Sequence, residues 1–438
     1  MNQKSLHLPL AAALGLALLA LAAPARLSAQ TGDNVTRAEY EKLLREVNEL
    51  KSRLGVTEKA QTEQKKDTEV SAEEFEKELR ATKSLLANVQ PGTSRFLMAG
   101  YGYGAFESFK GEDSTFKSAL APIFLWRLNN KLLFEAEPEF ELEGRETEVN
   151  LEYANLSYIL NDYVTLKAGK FLTPFGIFSE RLHAAWINKL PDAPLVFREE
   201  GGLVPISSTG FQASGNIPLG DSNFVYALYL SNGPRVNSGA DEPEEVGLLH
   251  FDNNTDGNNN KALGGRLGWR AFGGLELGYS FKNARVDVSR GTRDALMQAV
   301  DLTYVRDSQT LRGVLDLRGE WVWSRVSRAT YDPTGAAGFG PLSFDNRRRG
   351  GYLQAAYRPS KLGAEWVKNL EFVARRDLLL QPEGPPESTD ERRWTLGVNY
   401  WLGSSTALKA AYDFGRRTEK GDPSENTRGI RLQAVMGF

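Results

Sequence analysis

The sequence predicts an all-β fold, a roughly 16-stranded antiparallel transmembrane β-barrel preceded by an N-terminal α-helical coiled coil. Three observations predict it. The final stretch Gly429–Phe438 alternates, with Ile430, Leu432, Ala434, Met436 and Phe438 on one face and Arg431, Gln433, Val435 and Gly437 on the other. That period of two marks a strand with one apolar face. Similar alternating segments recur from Ser94 onward, and the connections between them alternate between long and short, except that Gly144 to Glu146 is short and Pro359 to Val367 long for their places. That parity is expected when both ends of the barrel wall lie on the same side of a membrane.

Composition narrows the function classes. The chain has 438 residues, a formal net charge of −3, no cysteine and three histidines. Disulfides, thiol catalysis and Cys-ligated metals are excluded, and no bulk charge favours nucleic acid. Beyond the N-terminus no apolar run reaches the ~18–20 residues of a membrane helix, so a membrane-spanning chain must be a barrel.

Taken in order, residues 1–29 read as a secretory signal. Lys4 supplies the positive end, Leu8 to Ala23 the apolar run, and Leu27-Ser28-Ala29 the cleavage site. Residues 30–92 are charged and helix-forming. Tyr40, Leu43, Val47, Leu50 and Leu54 form a coiled-coil seam, which lapses and resumes with Ala72, Phe75, Leu79, Thr82, Leu86 and Val89. So narrow a stripe packs only on copies of itself or on a partner, most simply in a homotrimer, here in the periplasm; a solvated linker is the other reading. Pro91-Gly92 ends it, and residues 93–438 form the barrel domain.

The expected strands lie near 95–106, 119–129, 131–143, 147–160, 163–170, 208–217, 223–231, 261–271, 274–288, 295–307, 310–327, 348–358, 368–380, 391–402, 405–417 and 427–438. The third has Phe134, Ala136, Pro138, Phe140 and Leu142 on one face and Glu135, Glu137, Glu139, Glu141 and Glu143 on the other. Those acids require a wet lumen or solvent. Pro138 removes a ladder hydrogen bond and predicts a local bulge. Tyr101, Tyr103, Trp126, Tyr158, Trp269, Tyr279, Trp321, Trp323, Trp394, Tyr400 and Trp401 fall near strand ends, as an interfacial girdle would. Stacking on sugars inside the lumen is the sharper alternative.

The longest connection, 171–207, is too apolar to hang in water, and long loops of this kind are usually functional. Folded into the barrel, it would pack Phe175, Ile177, Phe178, Trp186 and Phe197 on the wall and present Arg181, Lys189, Arg198 and Glu199 to a pore. Alternatively, it covers a subunit contact. Strand parity adds Lys167, Arg266, Arg270, Arg312, Arg318 and Arg375 as inward basic positions facing Glu135, Glu137 and Glu139. Bases opposite acids create a transverse field that orients polar solutes, or they neutralise one another. A hydrolase would have only His183 and His250 as histidine bases outside the leader, with Ser179 four residues before His183. The run Asp252 to Asn260 lacks the spacing of a complete calcium loop. No enzyme, metal or cofactor is expected.

The phrase G-K-F-L-T-P-F-G, Gly169 to Gly176, opening a long loop after a strand, resembles the phosphate-selective porin O and P superfamily of bacterial outer-membrane porins. The resemblance covers about residues 94–438 and implies a trimeric channel in outer-membrane lipid, with the third outer loop inside each pore. Small hydrophilic solutes or ions would diffuse through it. Anions such as phosphate are among the candidates, although the Glu135–Glu143 face opposes a purely anionic pore. The alternative is a structural barrel tethering the outer membrane to the cell wall or a partner through the coiled coil.

Overall fold

The computed structural model describes residues 96–438 apart from 144–145, 199–200, 238–245, 252–258, 287–292, 332–339, 386–387 and 420–421. The expected signal, the coiled coil, Glu199 and most of the Asn/Asp run lie outside the described residues. All of the described residues belong to one compact unit, Ser94–Phe438.

The chain opens with β1 (Phe96–Phe109), β2 (Thr115–Arg127), β3 (Leu132–Glu143), β4 (Glu146–Asn161), β5 (Val164–Leu172), β6 (Ser207–Leu219) and β7 (Ser222–Asn232). A two-stranded ribbon, β8 (Arg235–Val236) with β9 (Leu249–His250), interrupts the wall. The wall resumes with β10 (Lys261–Arg270), β11 (Leu275–Arg285), β12 (Asp294–Ser308) and β13 (Gly313–Val326). A second ribbon pairs β14 (Ala329–Tyr331) with β15 (Leu342–Phe344). The last wall strands are β16 (Arg347–Arg358), β17 (Leu370–Leu380), β18 (Thr389–Trp401), β19 (Thr406–Glu419) and β20 (Glu425–Gly437). Among the described residues, sixteen strands pair antiparallel in chain order into a closed barrel, and the two ribbons form separate small sheets. Every expected strand is present, with its ends moved by a few residues.

Closure is made by β20 on β1, where Tyr103 opposes Val435 and Glu107 opposes Arg431. Phe438 and Gly100 add a reciprocal pair of backbone hydrogen bonds, 2.9 and 3.0 Å. Closing the sheet leaves no edge strand, the condition for satisfying backbone groups in lipid. Deleting Phe438 removes both bonds and an exposed ring of the outer wall, so it should lower the yield of closed barrel, read as heat-modifiable migration. A normal yield of the shortened chain would contradict this.

Alternation sorts the faces. On β20, Ile430, Leu432 and Met436 are exposed on the outer wall, while Gln433 and Val435 are buried inside. On β3, Phe134, Phe140 and Leu142 point out and Glu137 is buried inside. The bulge expected at Pro138 is there. Glu137 opposes Tyr153 and Pro138 opposes Leu151, so Glu152 of β4 is the extra residue.

Three sequence expectations are corrected. Tyr101 and Tyr103 are not in a girdle: their hydroxyls donate inward to Glu139 and Glu141 at 3.5 and 3.0 Å. Trp401 also turns inward and donates from Nε1 to Glu371 at 3.1 Å. Arg312 is not a strand residue. It sits exposed in the 309–312 turn with φ 53°, and its N–H donates to the Gln309 carbonyl at 3.2 Å. Trp126, Tyr158, Trp269, Tyr279, Trp323 and Trp394 do lie exposed on the outer wall.

Candidate functional site

The segment 173–206 leaves β5 and folds against the inner wall. The sequence G-K-F-L-T-P-F-G makes the turn. Gly169 has φ 119°, and a Cβ there would strike the Ala154 carbonyl of β4. Phe171 and Phe175 are fully buried, and the Thr173 hydroxyl lies 2.8 Å from that of Ser208. Gly176 has φ 69°, and any Cβ there would fall on the Glu320 carboxylate. Both conformations favour glycine.

Glu320 of β13 anchors the first part of the segment. It accepts the N–H of Ile177 at 3.0 Å, the N–H of Phe178 at 2.9 Å and the Tyr352 hydroxyl at 2.8 Å. A single helical turn, Phe178–Arg181, follows. Phe178, Leu182, Leu195, Val196 and Phe197 form one apolar cluster with Met297, Val322 and Tyr352 of the wall. His183 lies 3.8 Å from Glu137, and Trp186 lies against Gly437. Lys409 of β19 donates to the carbonyls of Ala185 and Asn188, 2.5 Å each. Leu190 packs with Ala356, Val373 and Ala411. The segment thus touches strands distributed around the ring.

Three ion-pair clusters tie it down. In the first, Glu276 of β11 receives Arg181, Arg266 and Arg270 at 2.9 Å each, and Arg266 also forks onto Asp301 at 3.0 and 2.6 Å. Beside it, burial pushes the Glu180 carboxyl above its ordinary value, against the pull of Arg181, Lys167 and Arg266. In the second, Lys189 pairs with Glu371 and lies 3.5 Å from Asp316, which holds Arg318 at 2.7 Å. In the third, Asp192 takes Arg375 at 2.8 Å, Arg393 at 2.6 Å and Arg431 at 3.6 Å. Burial alone would raise the Asp192 pKa; the three guanidinium groups reverse this and hold its carboxyl well below the usual range.

Arg181, Lys189, Arg266, Arg270, Arg318 and Arg375 therefore occur in these clusters, each against a carboxylate. Arg198 pairs with Glu391 at 2.8 Å. It lines a cavity of about 480 Å³ with Glu152, Lys170, Arg235 and His250 on the long-loop side of the segment. Lys167 is half-buried and acts on Glu180. Glu135, Glu137, Glu139 and Glu141 stand apart on β3, with Tyr101, Tyr103 and His183 beside them. Ser179 donates to the Pro205 carbonyl at 3.3 Å, and no hydrogen bond joins it to His183 among the described residues.

Sequence reasoning missed Glu276 and Asp316, the hubs of two clusters. Strand parity alone places both on inner faces, but nothing local marks them as partners of the loop.

No family model and no curated protein matches the chain. Solved structures do. The anion-selective porin from Comamonas acidovorans is similar at a TM-score of 0.50 and 14% identity, over 79% of this chain and 100% of that one. The outer membrane channel DcaP of Acinetobacter baumannii is similar at 0.51 and 12%, over 78% of this chain and 97% of that one. The barrel is thus a fold shared with solved bacterial outer-membrane porins and channels.

Proposed function

We propose that the chain is an outer-membrane porin: a water-filled channel for passive diffusion of small hydrophilic solutes or ions, with the 171–207 loop as its constriction. The observation that carries this reading is the 173–206 segment, held inside a closed barrel with an apolar outer wall and a charged inner one. A barrel serving only as an anchor has no need of a loop ion-paired to its own lumen. The membership in the porin O and P superfamily, the homotrimer and the periplasmic coiled coil belong to the same proposal. They rest on the Gly169–Gly176 motif and the seam in residues 33–89.

The acidic face of β3 favours cations over anions such as phosphate. The arginines of the loop and the facing wall are matched by carboxylates, whereas Glu135, Glu137 and Glu141 have no arginine or lysine partner among the described residues. Unmatched lumen acids raise the local cation concentration. In a planar bilayer under a salt gradient, the reversal potential should show cation preference. Glu135→Gln with Glu141→Gln should move it toward zero. Anion preference in the unaltered protein would overturn the selectivity; absence of conductance from a folded barrel would overturn the channel.

A further inference from the structure

Arginines interrupt the apolar outer wall from β13 to β20, near the ends of the strands that carry the long connections. Arg325, Arg347, Arg349, Arg392, Arg416 and Arg428 are exposed, on the same face as Trp323, Leu353, Trp394 and Ile430. Arg325 is directly opposite Arg347, and Trp323 opposite Arg349. Arg392 is directly opposite Arg416, and Arg428 is opposite Phe414. Among the described residues only Arg347 of these six has a carboxylate partner, Asp345 at 3.0 Å. At the short-turn ends of the same strands the outward positions are Leu315, Tyr357, Phe372, Val398, Leu408 and Met436.

Like charges directly opposed across a strand pair are destabilising, and this wall has two such pairs. The repulsion is relieved when an anion sits between them. Arg forks match phosphate oxygens in a bidentate way. The surroundings point to a lipid rather than to a free ion. A groove of about 890 Å³ runs over Arg325, Arg347, Arg348 and Arg349, with Glu383 and Asp390 also in its lining and Tyr279, Val300 and Trp323 as its apolar and aromatic floor. Such rings prefer the level of lipid headgroups, and arginine stems extend along apolar surface to reach it. We propose that this belt binds phosphate-bearing lipid headgroups of the leaflet on the long-loop side. The inference rests on the membrane-spanning reading above and goes beyond the channel, which needs no outward charge.

The test uses the full chain in phosphatidylcholine nanodiscs containing diphosphorylated lipid A, with bound lipid counted by native mass spectrometry. Replacing Arg325, Arg347, Arg392 and Arg416 by glutamine should weaken lipid A retention about thirtyfold for each opposed pair removed. Arg306→Gln, at the short-turn end, should retain as much as the unaltered chain. Excess inorganic phosphate should not displace the lipid. Equal retention by the quadruple variant overturns the belt, and displacement by inorganic phosphate overturns its assignment to lipid. Heat-modifiable migration checks that each variant is folded, and single-channel conductance of the quadruple variant should be unchanged. A folded barrel that retains lipid A but does not conduct would sink the channel and leave the belt standing.

Discussion

An Asp192→Ala chain is expected to fold as a barrel and to lose the seating of its inner loop. Asp192 is the shared partner of Arg375, Arg393 and Arg431, two of which are almost completely buried. Asp377 and Asp413 would remain beside them, and the carbonyls of residue 192 and Ala193 would still accept from Arg375 and Arg393, but the loop's carboxylate on those cations would be gone. Breaking a buried pair costs about 3–5 kcal/mol, so seated loops should become scarcer by about two to four powers of ten. Single-channel records should show larger and noisier currents; currents like those of the unaltered protein would contradict the assignment. The pH dependence has a definite sign. The folded-state pKa of Asp192 is depressed below its ordinary 3.8, so its contribution is present above that range and is lost only as pH falls through the lower folded value. Mild acid should therefore leave the Asp192 contacts in place.

Gly176→Val should produce a defect of similar size by a different route. The backbone there has φ 69°, where a β-branched residue is strained by about 1–2 kcal/mol, and its Cβ would occupy the place of the Glu320 carboxylate. Glu320 would lose the two N–H groups and the hydroxyl that now satisfy it. The expected result is a heat-modifiable, folded barrel with altered conductance. Gly169→Val, four residues into the wall from the same motif, should instead reduce the yield of folded barrel, because its Cβ meets the β4 backbone. Equal behaviour of the two variants would show that the motif's glycines do not divide their work between loop and wall.

Most of the fold was legible because a two-residue period is a local signal. It placed all sixteen strands, and the missing N–H of Pro138 marked the distortion in the third. Parity also assigned faces correctly within strands such as β3 and β20. Tyr101 and Tyr103 were misplaced when distance from a strand end was weighed above parity; their shared face with Glu107 points inward. Arg312 was misplaced because a turn residue in a left-handed conformation breaks the count.

The candidate site was legible only as two unmatched sets, an apolar loop with charges and a wall with charges. Their pairing was not. Asp192 meets Arg375 and Arg393 across more than 180 residues of chain, and Lys189 meets Glu371 across a similar span. Face parity says that a charge points inward, never which opposite charge it meets. A field across the pore and a neutralised wall therefore looked alike in the sequence. The structure pairs loop and wall charges from β10 to β20 and leaves the β3 acids together on one face.

The most direct measurement of the central claim exploits the absence of cysteine. Single cysteines would be introduced as Glu135→Cys on the inner face and Phe134→Cys on the outer one, and a bulky, water-soluble, charged thiol reagent added to single channels in a planar bilayer. A channel through this barrel predicts stepwise loss of current for Glu135→Cys and none for Phe134→Cys. Unchanged current through the Glu135→Cys protein after complete labelling would contradict it.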